Sequence, residues 1–236
     1  MNYIVYNEKN YDDFLDCKRL SLKNIKKNKT FAIKIDLKEI QEKQMKKLIK
    51  KILKLRKKVI KNKKIENDKN GIIFNVHNFE EDNEIHKNFI NALNSILKDD
   101  KRKMYEYIYD TVCNYLDSCF YGKNLCDFEN NKCGEKRNTS CEVGCCRYYK
   151  NRILGQFKIN NELVRCKYLK NYKCSAKCLS CKLFTCDYLQ KKGIKFRIKD
   201  ILLLDAFFNI VQKFILKIMV YTPKETMIKL LLITSF

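Results

Sequence analysis

Residues 31–36 (Phe-Ala-Ile-Lys-Ile-Asp) alternate apolar and polar side chains, the period of a half-buried strand. From about Leu37 the period lengthens. Met45, Leu48, Ile52, Leu55 and Val59 fall three and four residues apart, on one face of a helix, while Lys46, Lys47, Lys50, Lys51, Lys54, Lys57 and Lys58 fill the other face. The apolar seam spans barely two heptads, too short for a coiled coil. Residues 2–6 and 72–77 read as further strands, 11–30 as a polar mixed stretch, and 61–70 as a solvated loop closed by Gly71. Residues 82–117 then return to helical spacing through Ile85, Phe89, Leu93, Ile96, Met104, Ile108, Val112 and Tyr115, with a break near Lys98–Lys101.

The C-terminal fifth is apolar but not a membrane span. Residues 201–221 have the length of one, about 20 residues. Yet Asp205, Asn209, Gln212, Lys213 and Lys217 recur as a polar stripe, which predicts an amphipathic helix with a broad apolar face. Gly193 is a candidate helix C-cap in the basic connector 191–200. Thr222-Pro223-Lys224-Glu225 reads as an N-cap with proline at the first position of a last helix, about 223–232. The expected fold is mainly α with a small α/β N-terminal portion and an irregular metal-stapled module packed by helices. The divisions expected are 1–110, 111–189 and 190–236.

Scarce glycine (6) and proline (1) in 236 residues fit long helices. The formal net charge is +23, which suits a polyanion. However, lysine, asparagine and isoleucine are enriched together, as AT-rich codons would enrich them, and arginine, the better phosphate fork, is infrequent. A nucleic-acid role is therefore not favoured. Met1–Asn10 carries no basic-then-apolar leader, so the expected compartment is the reducing cytoplasm, where thiols stay free to act as ligands.

Composition changes most sharply between Cys113 and Cys186. Twelve of the 13 cysteines lie in these 74 residues, and only Cys17 lies outside. Cys113, Cys119, Cys126 and Cys133 are loosely spaced. Cys141-x3-Cys145-Cys146, Cys166 and Cys174-x3-Cys178-x2-Cys181-x4-Cys186 are tighter, and short intervals let a loop wrap thiolates around one ion. Four thiolates suit a closed zinc tetrahedron or an iron–sulfur cluster, and Cys178-x2-Cys181 fits either. The candidate ligands are Cys126, Cys133, Cys141, Cys145, Cys146, Cys166, Cys174, Cys178, Cys181 and Cys186. Cys17 and Cys113 read as buried apolar thiols. His77 and His86 lie outside the cluster and are not expected to be ligands. No carboxylate grouping suggests calcium or magnesium.

The run Cys174-x3-Cys178-x2-Cys181 also has the spacing of radical S-adenosylmethionine enzymes. Ser180 stands where that family usually has an aromatic residue, and only 55 residues follow Cys181, so this reading is set aside. Cys141-Glu-Val-Gly-Cys145-Cys146, Cys166-Lys-Tyr-Leu169, Cys174-Ser175 and Cys181-Lys-Leu-Phe-Thr-Cys186 instead resemble the bacterial cysteine-cluster proteins described as zinc- or iron-chelating (YkgJ-like, CxxCxxCC). The first group here is Cys-x3-Cys-Cys, and Ala176–Ser180 replaces that family's Ile-Tyr-x-x-Arg-Pro segment. The chain is also similar to cysteine-rich clostridial proteins. The resemblance implies metal chelation and leaves open which thiols carry it.

The expected function is thus a metal-binding cysteine-cluster protein holding zinc or an iron–sulfur cluster, with a protein partner. The alternatives are an iron–sulfur redox or enzyme component, and a zinc-stapled nucleic-acid binder presenting the basic helix from Leu37. No constellation for hydrolytic or acid–base catalysis stands out, so no catalytic residue is assigned.

Overall fold

A computed structural model describes residues 3–6, 14–16, 31–62, 72–127, 134, 147–149, 163–165, 169–170, 173–174 and 177–235. The described residues are mainly helical, with a small α/β portion at the N-terminus. They form two compact units, 1–108 with 199–209, and 109–198 with 210–236.

The first unit is built on a four-stranded parallel sheet in the order β1 (Tyr3–Tyr6), β4 (Ile72–His77), β3 (Phe31–Asp36), β2 (Phe14–Asp16). The register pairs Phe31 with Ile72 and Asp36 with His77. Helix α1 (Glu42–Asn62) is the crossover between β3 and β4, which parallel neighbours require. Of its expected stripe, Met45, Leu48, Ile52 and Leu55 are all buried, and the Val59 side chain lies outside the described residues. Strand β4 is buried along nearly its whole length, Ile72 to Val76, as a central parallel strand is.

Strand β2 falls in the stretch 11–30 expected to be merely polar. It is only three residues long and lies at the sheet edge, where periodicity has too few positions to register. The expected break near Lys98–Lys101 is present, between α2 (Glu84–Ile96) and α3 (Lys101–Asp117). Asn83 caps α2 by accepting from the Ile85 and His86 amides at 3.0 and 3.3 Å. The Arg56 guanidinium holds the break by donating to the carbonyls of Lys98 and Asp99.

Residues 201–221 form two helices, not one. The chain is extended at Phe208 (φ −99°, ψ 138°), which separates α6 (Leu202–Phe207) from α7 (Ile210–Ile218). The break also changes which side chains face inward. Asp205 is buried and paired with Lys46, and Gln212 is buried with its amide donating to the Leu231 carbonyl at 2.6 Å. Ile210, Phe214 and Ile218 are exposed instead. The expected polar stripe is therefore partly internal. Helix α8 (Lys224–Ile233) begins one residue later than expected: Pro223 is the N-cap and Thr222 precedes it. No described helix is long and apolar enough to cross a membrane.

Candidate metal centre

In the second unit, the last three turns of α3 carry the site. Tyr109, Cys113 and Asp117 are four residues apart and so share one helix face. Each one holds a different point of the segment 177–182. The Tyr109 hydroxyl accepts from the Leu179 amide at 2.9 Å. The Cys113 thiol donates to the Lys177 carbonyl at 3.4 Å. Asp117 pairs with Lys182, whose side chain is only 5% exposed. Lys177 adopts φ 47°, a left-handed value that non-glycine residues seldom take. That residue turns the chain so that Cys178 becomes the N-cap of α4 (Leu179–Leu183).

The Cys178-x2-Cys181 spacing then puts two sulfurs on one turn. The Cys181 thiol donates to Cys178, and the amides of Cys181, Thr222 and Tyr221 also point at the Cys178 sulfur. Tyr221, between α7 and α8, donates its own N–H to the Cys181 sulfur at 3.0 Å and has φ 61°. Lys224 pairs with Asp110 of α3 at 2.7 Å, tying the start of α8 to the same helix.

These donors decide the charge on each sulfur. The hydrogen bond from Cys181 and the backbone amides outweigh burial and bring the Cys178 thiol down to about 6, which favours its thiolate. Burial drives Cys113 the other way, up to about 12, against a smaller favourable effect of Lys182. Burial also raises Tyr109 well above its ordinary value. The Cys178–Cys181 turn therefore holds a sulfur whose thiolate is favoured and its thiol partner, and α3 sets the neutral Cys113 thiol against the same segment.

A second thiol group lies around Cys126. Cys126 and Leu189 are buried together, with Phe120, Leu125, Cys186, Tyr188 and Ile194 packed against them. Cys186 is the N-cap of α5 (Asp187–Lys191). Gly193 ends α5 as expected, at φ 75°. Its amide donates to Gln190 at 3.0 Å and the Ile194 amide donates to Leu189 at 2.9 Å, the paired bonds of a Schellman cap. Asp127 accepts from Tyr188 and Lys192. The Gly134 amide donates to the Cys126 carbonyl at 2.7 Å, and Gly134 leaves no room for a Cβ against the Tyr188 ring. Cys119 is buried in the turn that follows α3.

Of the expected ligands, the structure thus brings Cys178 to Cys181 and packs Cys186 against the cluster of Cys126 and Leu189. Cys133, Cys141, Cys145, Cys146 and Cys166 lie outside the described residues, as do Cys17 and the side chain of Cys174, whose backbone belongs to a two-residue strand (Lys173–Cys174). Among the described residues no three His, Cys, Asp or Glu side chains are grouped closely enough to hold a metal ion. Cys113, expected as a packing thiol, is buried as such but lies within electrostatic reach of Cys178. Its four-residue spacing from Tyr109 and Asp117 is the signal that could have marked it. The Tyr221 and Thr222 amides have no signal in sequence. His86 is buried, and its Nδ1 accepts from the Glu80 amide at 3.2 Å.

No family model, curated protein or solved structure matches the chain.

Proposed function

We propose that the chain is a metal-binding cysteine-cluster protein, for zinc or an iron–sulfur cluster, in which Cys178 and Cys181 supply two thiolates of one site. The observation that carries this reading is the Cys178 sulfur. It is 1% exposed, amide N–H groups and the Cys181 thiol point at it, and these donors lower its pKa. A buried anion is costly unless neutralised. The groups that hold this one are neutral amides and a thiol, and Lys182 on the same turn is committed to Asp117. A metal cation would complete the neutralisation, and N–H donors to sulfur are what orient thiolate ligands. The further thiolates come from the other cysteines between Cys113 and Cys186. The burial of Cys178 also argues against exchange with a bulky protein disulfide as the main activity.

The test is elemental analysis of anaerobically purified protein, beside a Cys178→Ser/Cys181→Ser double variant checked for helix content. Stoichiometric zinc, or iron with sulfide, that falls by one site in the variant supports the reading. Iron with sulfide would place the protein among redox components. Equal metal in both proteins, or none in either, would refute it.

A further inference from the structure

We propose that Cys178 and Cys181 form a reversible dithiol–disulfide pair whose oxidant is a small hydroperoxide, so that the site releases its metal on oxidation. The release of metal rests on the function proposed above; the disulfide does not.

Three observations on the pair carry this. The two free thiols lie three residues apart on one helical turn, Cys178 at its N-cap and Cys181 within it. A two-residue spacing across the first turn of a helix is also one that a disulfide can span. The two differ in exposure: Cys178 is sealed, while Cys181 is only half-buried and so meets solvent first. Finally, the Tyr221 amide donates to the Cys181 sulfur, which stabilises negative charge there. Cys113 does not compete for Cys181, because its thiol is buried and directed to the Lys177 carbonyl.

The chemistry balances as follows. Cys181, the sulfur that meets solvent, gives its proton to solvent and reacts as a thiolate. The Cys181 thiolate attacks one peroxide oxygen; an S–O bond forms, the O–O bond breaks, and hydroxide leaves. Cys181 is now a sulfenic acid. The Cys178 thiolate attacks it; the S–S bond forms, the S–O bond breaks, and the departing hydroxyl leaves as water with a proton from solvent. Two sulfurs have together lost two electrons to the peroxide. A thiol reductant reverses the step. The disulfide has no thiolate to offer a cation, so a metal held by this pair is lost.

The experiment treats the full chain, as purified without oxygen, with stoichiometric hydrogen peroxide. Released metal is read with a chromophoric chelator, and residual thiols are blocked before peptide mapping. The expected result is a peptide linking Cys178 to Cys181, with metal released in parallel and both reversed by dithiothreitol. In Cys178→Ser, Cys181 should accumulate as a sulfenic acid trapped by dimedone; in Cys181→Ser, peroxide consumption should slow at least tenfold. Absence of the linked peptide, or its equal formation with other cysteines, overturns the proposal even if metal is present. A linked peptide in protein without metal would leave the disulfide pair standing and remove the metal reading alone.

Discussion

Tyr109→Phe removes one oxygen from the place where α3 meets the start of α4, without changing the shape of the core. Tyr109 and Leu179 are both fully buried, and the Tyr109 hydroxyl is the acceptor for the Leu179 amide at 2.9 Å. Leu179 is the first residue of α4, so its amide has no acceptor within the helix. In the variant that N–H is buried and unpaired, at a cost of about 1–3 kcal/mol. At 1.4 kcal/mol per factor of ten, local opening of the 177–183 segment should increase about 5- to 150-fold. Native-state hydrogen exchange reads this directly as lost protection at the Leu179 amide. Helix α2, in the first unit, should keep its protection, which separates local loosening from general destabilisation. Protection at Leu179 unchanged within about twofold would refute the claim that Tyr109 anchors the cysteine turn.

The thiol titrations give opposite pH signs. Cys178 has a folded value lowered from 9.0 to about 6, so its stabilisation is complete above about 9 and is lost as pH falls through 6. Cys113 is raised from 9.0 to about 12, so its contribution is complete below about 9 and is lost as pH rises toward 12. Urea midpoints should rise from pH 6 to 9 in the metal-free reduced protein. Cys178→Ala should flatten that rise, and Cys113→Ala should soften the fall above pH 9; a rise that persists in Cys178→Ala would contradict the assignment. Gly134→Ala places a methyl against the Tyr188 ring and should cost about 1–3 kcal/mol by overpacking, read as a lower thermal midpoint. Gln212→Ala removes the shorter of two side-chain donors to the buried Leu231 carbonyl, leaving the Thr234 hydroxyl at 3.5 Å, and should cost about 1–2 kcal/mol, whereas Phe214→Ser, at a side chain 60% exposed, should change stability by less than about 0.5 kcal/mol.

Elements with several turns or a clean alternation were legible in the sequence. Strands β3 and β4 fall on the expected residues, and α1, α2 and α3 carry the expected apolar faces except at Ile85 and Tyr115, which are exposed. Gly193 marked its cap because a left-handed residue there favours glycine. What failed depends on tertiary context. Strand β2 has no local pattern to show. Residues 201–221 read as one helix because Phe208 and Asn209 contain no breaker; the break comes from the backbone at Phe208. Once the helix is split, Asp205 has Lys46 and Gln212 has the Leu231 carbonyl, so polar residues are buried where the pattern placed solvent. At the site, Cys178-x2-Cys181 was legible because short spacing forces proximity. The packing of Cys186 against the cluster of Cys126 and Leu189 joins residues about sixty positions apart in the chain and carries no spacing signal. Amide donors from residues 221 and 222 could not be read at all, since any residue but proline supplies an N–H.

The most direct measurement of the central claim is X-ray absorption at the metal edge of the anaerobically purified protein, recorded beside the Cys178→Ser/Cys181→Ser variant. A thiolate site should show a first shell of four sulfurs at about 2.3 Å, losing sulfur scattering in the variant. A shell of oxygen and nitrogen alone, or sulfur scattering indifferent to both substitutions, would contradict it.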